Sequence, residues 1–164
     1  LWTGMGADAI RKGIVAFRGV PHRIERVLDG RGVTVYNDSK GTNVASTITA
    51  LESFSEPVVL IAGGKAKGQD FAPLAAAARG RVRHVVLLGE DRDKVRAALA
   101  GLGIGIEEAA SMEAAVRAAA AAARPGDVVL LSPACASFDM FQNFEHRGEV
   151  FKAAVRALLQ GGTR

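Results

Sequence analysis

Apolar residues along the chain fall into three uninterrupted blocks separated by stretches of helical spacing. The blocks VVLIAGG (Val58–Gly64), HVVLLGED (His84–Asp91) and DVVLLSPA (Asp127–Ala134) are continuous hydrophobic runs bounded by polar or turn residues. That form is expected of strands covered on both faces, as in a parallel sheet. Two shorter β-rich runs, Ile24–Leu28 and Val33–Tyr36, flank the turn sequence DGRG and predict a hairpin. Helical spacing predicts helices over Asn43–Phe54, Phe71–Arg79, Asp91–Ala100, Ser111–Arg124 and about Phe144–Leu159. Thr42 or Asn43 suits the N-cap of the first and Asp91 that of the third. Pro125-Gly126 stops the Ala-rich helix that Ser111 opens. A short amphipathic helix in GADAIRKGIVAF precedes them all. Strands alternating with helices predict a Rossmann-like three-layer α/β domain with a mostly parallel sheet and an N-terminal β-hairpin.

In open parallel sheets, ligands bind beyond the carboxyl ends of the strands. Four loops leave such ends: NDSKGTN, GGKAKGQD, GED and SPACASFD. Three carry dense polar residues and are expected to face one crevice. NDSKGTN supplies a carboxylate, a cation and two hydroxyls, and reads equally as a turn plus a helix cap. Thr42, at a helix start with free N–H groups, suits an anion as well as it suits a cap. GGKAKGQD is Gly-rich with two lysines, but alone it reads as a solvated basic loop. Neither G-x-x-x-x-G-K-[ST] nor G-x-G-x-x-G occurs, so no self-contained nucleotide cradle is present. Phe138, Phe141 and Phe144 crowd the last loop beside small hydroxyl and thiol residues; of the three, Phe141 is assigned to the core.

Composition narrows the classes. At 164 residues and 49% apolar, the chain suits one ordinary domain with a full core. No apolar run approaches the ~20 residues of a membrane span, and no signal pattern is seen, which predicts a cytoplasmic protein. Cys135 is the lone cysteine, which excludes an internal disulfide and reads as a small buried hydrophobe. The net charge of +4 is dispersed. It gives no nucleic-acid signature and fits an anionic small substrate. Asp38, Asp70 and Asp139 stand on separate loops, and His22, His84 and His146 are scattered, so neither a metal site nor a Ser-His-Asp grouping is expected. The chain starts mid-pattern at Leu1-Trp2 and reads as a piece of something longer.

The segments FRGVPHRIE, NDSKGTN, GGKAKGQDF and LLSPACASFDMFQNFEHRGEVF occur in an order and spacing that resemble the C-terminal domain of the Mur ligases, and among them the D-glutamate-adding members. The resemblance covers the chain from Phe17 onward; residues 1–16 resemble the final helix of the family's central ATPase domain, leaving 17–164 as the amino-acid-binding domain. It implies an ATP-dependent ligase of peptidoglycan synthesis, in which D-glutamate attacks an acyl phosphate made on UDP-N-acetylmuramoyl-L-alanine. ATP and Mg2+ would be held mainly by the central domain and the UDP group by the N-terminal domain. No catalytic residue is then expected in this chain, and the chain alone would not ligate. By position, the resemblance assigns D-glutamate binding to Thr42, Lys67 (placed by its distance from Asp70-Phe71), Ser137 and the backbone of Phe138, with Phe144 as a wall. Arg23, Asp38 and Lys40 match nucleotide-contacting positions, and His22 a structural neighbour. Gly41 stands where Ala is commoner, a change expected to touch only loop stiffness. The alternative is a stand-alone, non-catalytic anion-binding module. A folylpolyglutamate-type ligase is disfavoured by SPACASFD.

Overall fold

The computed structural model describes residues 4, 6–17, 19–30 and 32–161. Helix α1 (Ala7–Ala16) buries none of its residues, and leaves Ile14 and Val15 exposed. Then come β1 (Glu25–Gly30), β2 (Val33–Asn37), α2 (Val44–Glu52), β3 (Val58–Gly63), α3 (Ala72–Ala78), β4 (Val82–Leu88), α4 (Arg92–Leu99), β5 (Gly105–Glu108), α5 (Met112–Ala122), β6 (Val128–Leu131) and α6 (Phe144–Gly161). The expected hairpin is β1–β2, antiparallel and closed at Gly30↔Val33; Arg31 of its turn lies outside the described residues. The three apolar blocks form β3, β4 and β6. Sequence pattern did not reveal β5, because this edge strand is mostly exposed and carries no hydrophobic run.

The six-stranded sheet has the order β1-β2-β6-β3-β4-β5, and every pairing except β1–β2 is parallel. The chain leaves β2, passes through α2 to β3, and builds outward to β5. It then returns through α5 to lay β6 into the gap between β2 and β3. The direction of winding reverses at β6, so its carboxyl end is a topological switch point. Every residue of β3 and β6 is buried, which explains their unbroken apolar sequences.

Strand alternation divides the core between two faces. Val58, Leu60 and Ala62 of β3 pack with Leu51, Leu74 and Val95 of α2, α3 and α4. Val59 and Ile61 point the other way, toward Met112 and Val116 of α5 and Phe151 of α6. Helix starts follow local chemistry: Asn43 Oδ1 accepts from the Ser46 amide and Ser111 Oγ from the Ala114 amide. Asp91 holds the N-cap position of α4 but makes no cap bond there. Its carboxylate instead takes the Ala66 amide at 2.7 Å and pairs with Lys94 at 2.6 Å. Among the described residues, no helix is long and apolar enough to cross a membrane.

The end of β3 is the tightest point of the sheet. Gly63 has φ +116°, and a Cβ there would lie 2.0 Å from the carbonyl oxygen of Leu88 on β4. Gly63→Ala therefore combines left-handed strain with a backbone clash. We expect it to lower unfolding stability by roughly 2–4 kcal/mol, read as a lower urea midpoint at unchanged slope.

Candidate functional site

The loops at the carboxyl edge are stitched together by backbone hydrogen bonds. From β2, the Asp38 amide donates to Leu131 O at 2.7 Å, and Gly41 O accepts from the Ala134 amide at 2.9 Å. From β3, the Gly63 amide donates to Pro133 O at 2.8 Å, while Lys65 and Ala136 exchange two bonds of 2.9 and 3.0 Å. The β4 loop joins through Asp91 N to Gly64 O at 2.9 Å and Glu90 N to Asp139 Oδ2 at 2.8 Å. The loop after β6 is the hub. Within it, Ala134 holds φ 58°, a left-handed conformation that costs a non-glycine residue roughly 1–2 kcal/mol.

Below this edge lies a buried polar layer. Arg147 of α6 is 2% exposed, and none of its hydrogen bonds goes to a carboxylate. Its Nε donates to Ser39 Oγ at 3.0 Å, Nη2 to Ser39 O at 2.8 Å and Nη1 to Cys135 O at 3.1 Å. Burial lowers its pKa to about 10, so it remains a cation at neutral pH. Ser39 Oγ in turn donates a hydrogen bond to Phe144 O at 2.7 Å. Asn37 links His22 Nδ1 at 3.0 Å and Glu25 at 3.1 Å. Burial also pushes the Cys135 thiol up to about 12.

Asp38 is 2% exposed and fully engaged within the protein. Oδ1 accepts from the Ile24 amide at 3.3 Å and Oδ2 from Ser132 Oγ at 2.8 Å. Burial raises its pKa, and those two bonds and the charges of Arg23 and Arg147 oppose the rise. Gly41 matters more than loop stiffness suggests. A Cβ at that position would sit 2.5 Å from Asp38 Oδ2 and 2.8 Å from Ser132 Oγ.

The remaining sequence-assigned residues lie outside this hydrogen-bonded layer. Lys67 is exposed, and among the described residues its ammonium has no hydrogen bond or ion pair. Thr42 is half-buried and its hydroxyl is likewise unbonded. Ser137 is 2% exposed, yet its hydroxyl has no partner among the described residues. Phe138 is 68% exposed. Phe144 is half-buried, with Lys40 Nζ 5.6 Å above its ring and His22 edge-on at 6.2 Å. Arg23 and Lys40 are exposed cations. Phe141 packs partly buried against the α5–α6 core. Thr42, Lys67 and Ser137 thus stand on three loops that are bonded to one another. The start of α2 offers less to an anion than its position suggests, because Asn43 and Gln69 occupy the Ser46 and Val44 amides.

Sequence reasoning missed Arg147, Ser132 and Gln69. Arg147 alone left a signal: it precedes Phe151 and Val155 at four-residue spacing, on the face where α6 must be apolar. An apolar cavity of about 270 Å³, lined by Val33, Val116, Val129 and Val155 among others, lies toward the amino ends of β2 and β6. It offers little to a charged ligand.

The family described as "Mur ligase, glutamate ligase domain" matches residues 22–135. The UDP-N-acetylmuramoylalanine--D-glutamate ligase of Ralstonia nicotianae is 54% identical over 155 residues, which is 94% of this chain and 31% of that protein. The enzyme of the same name from Aromatoleum aromaticum is 53% identical over 94% of this chain and 34% of its own length. The chain therefore spans about a third of the length of the curated relatives it matches. Among solved structures, UDP-N-acetylmuramate-alanine ligase MurC from Thermotoga maritima superposes with a TM-score of 0.64 at 14% identity, over 94% of this chain and 34% of that one. The bifunctional folylpolyglutamate synthase/dihydrofolate synthase of Yersinia pestis, complexed with AMPPNP and Mn ion, gives 0.62 at 20% identity, over 91% and 34%. At such identities the likeness shows the fold alone.

Two outcomes follow from the buried layer. Arg147→Lys keeps the charge but offers one nitrogen where three donate, so it should cost roughly 2–4 kcal/mol in urea unfolding. With its thiol held near 12, Cys135 should resist iodoacetamide at pH 8 in the folded chain and react only at the rate of unfolding.

Proposed function

The chain belongs to the Mur ligase family through its glutamate ligase domain, and on that premise we propose that it is the amino-acid-binding domain of an ATP-dependent ligase that adds D-glutamate to UDP-N-acetylmuramoyl-L-alanine in peptidoglycan synthesis. The observation that carries this reading is 54% identity across 94% of the chain to a ligase of that name. The geometry supports it, because Thr42, Lys67 and Ser137 stand on three bonded loops at the switch point of the sheet. Their side chains have no partners among the described residues, as befits groups reserved for a ligand.

In this reading, D-glutamate lies on the shelf beyond β3 and β6. Lys67 pairs with one carboxylate, a charge-assisted bond suited to an anion. Thr42 adds a hydroxyl at the start of α2, Ser137 and the Phe138 backbone hold the other end, and Phe144 forms the wall. The amine then faces outward, toward the acyl phosphate of the second substrate. Its nitrogen attacks the carbonyl carbon and the C–N bond forms. The C–O bond to phosphate breaks, the phosphate leaves with the electron pair, and the amine loses a proton. This chain's part is orientation, which converts a bimolecular encounter into a directed one.

ATP is the co-substrate, and Arg23 and Lys40 are exposed cations placed to meet its phosphates or ribose. Asp38 stands at a nucleotide-contacting position, and each of its carboxylate oxygens, though bonded once within the protein, keeps a lone pair. It acts on the nucleotide side by holding Ile24, next to Arg23, against the β2 loop. In this reading Mg2+ accompanies ATP and is held mainly by the central domain; among the described residues no group of three or more His, Cys, Asp or Glu side chains could hold a metal ion. α1, with no buried residue of its own, is the end of that domain, which packs against it in the longer protein. The site of action is the cytoplasm, where these substrates are made.

The test is amino-acid dependence in the longer protein. We expect ADP release to require D-glutamate and to be negligible with L-glutamate. Lys67→Ala should raise the KM for D-glutamate by at least about tenfold with little change in the KM for ATP. Equal turnover with both enantiomers, or unchanged D-glutamate kinetics in Lys67→Ala, would overturn the assignment. The chain alone should show no ligation.

A further inference from the structure

Gln69 bridges two neighbouring loops. Its Oε1 accepts from the Val44 amide at 3.0 Å, at the first residue of α2, and its Nε2 donates to the carbonyl of Ala134. The orientation of the amide is dictated by its partners, since a backbone N–H needs an acceptor and a carbonyl needs a donor. Ala134 is the residue with φ 58°, and its own amide is bonded to Gly41 O. Both of its backbone polar groups are therefore held by neighbouring loops, one by the β2 loop and the other by Gln69.

Residues 65–69 form an arch. One foot is Lys65, which exchanges two backbone bonds with Ala136; the other is Gln69, on Ala134. The feet stand two residues apart on the segment that leads into Ser137, and Lys67 is the apex. Ala66, beside the apex, is tied to Asp91. Gln69 alone also reaches α2, two residues after Thr42. One side-chain amide thus connects the loops that carry Lys67, Thr42 and Ser137.

We propose that Gln69 is a positioning residue for the amino-acid substrate: it sets the spacing of Lys67 from Thr42 and Ser137, and so the fit of the substrate carboxylates. This rests on the reading of those three residues as the D-glutamate site. Gln69 itself need not touch substrate. Its two hydrogen-bonding groups are used within the protein, and its effect is carried by the apex of the arch.

The experiment uses the full-length protein with Gln69→Met, which keeps length and loses both bonds, together with Lys67→Ala and the double variant. Gln69→Met should raise the KM for D-glutamate about tenfold, the scale of one or two lost hydrogen bonds, with kcat within about twofold and the KM for ATP unchanged. A purely structural role would lower the melting temperature without this split. If Gln69 acts through Lys67, the double variant should lose no more than Lys67→Ala alone. Additive losses, or an unchanged KM in Gln69→Met, overturn the proposal while leaving the site intact. If Lys67→Ala leaves the D-glutamate KM unchanged, the site reading falls and the proposal with it. Should Gln69→Met fail to fold, hydrogen exchange on the unmutated protein decides: a protected Val44 amide upholds the bridge, and one that exchanges as fast as an open loop removes it.

Discussion

A guanidinium buried to 2% exposure, held by neutral acceptors, is the demand around which the carboxyl edge is arranged. An isolated charge in a protein interior is costly unless its hydrogen bonds are made. Arg147 meets that demand with Ser39 Oγ, Ser39 O and Cys135 O. Two of these belong to the β2 loop and one to the β6 loop. The backbone of both loops must turn inward for the bonds to exist, and the N-terminal turns of α6 must lie across them. Burial is the main cause of its lowered pKa, and the charges of Asp139 and Asp38 oppose that shift without cancelling it.

The same inward turn explains the contrast between the layer and the rim. Asp38, Ser132, Thr47, Asn37 and Ser39 are buried and bonded to one another or to backbone. Among the described residues the side chains of Thr42, Lys67 and Ser137 have no such bonds, and of the three only Ser137 is buried. Polar groups that serve the scaffold find partners inside it, because an unmet group there costs about 1–3 kcal/mol. Groups at the rim are left for solvent or a ligand. Asp38 is thus tied into the scaffold, whereas the Lys67 ammonium has no partner among the described residues, although both come from polar loops of similar composition.

Fold and family speak at different resolution. Backbone likeness to UDP-N-acetylmuramate-alanine ligase MurC and to the bifunctional folylpolyglutamate synthase/dihydrofolate synthase is nearly the same, with TM-scores of 0.64 and 0.62, so the fold by itself does not single out one of them. What separates them is side-chain identity along the chain, where the 54% match lies with the D-glutamate ligases. The sheet is shared, and function has to be argued from the side chains it carries.

Element type was legible because it is written locally. Strands covered on both faces must be apolar at every position, and β3, β4 and β6 were found from that alone. Ser111 and Asn43 marked helix starts because a cap bond spans three residues. The expectation of a site at the carboxyl edge came from the alternation of strand and helix. Tertiary structure decided the rest: that β6 lies between β2 and β3, that exposed β5 extends the sheet, that the Asp91 carboxylate at the N-cap of α4 bonds Ala66 instead of its own helix, and that Asp38 is turned inward. It also brought Ser39 to Arg147 and Gln69 to Ala134, partners separated by 108 and 65 positions. Hydrogen bonds between residues so far apart leave no periodicity in either segment. Only the folded chain, by burying the donor, makes its acceptor obligatory.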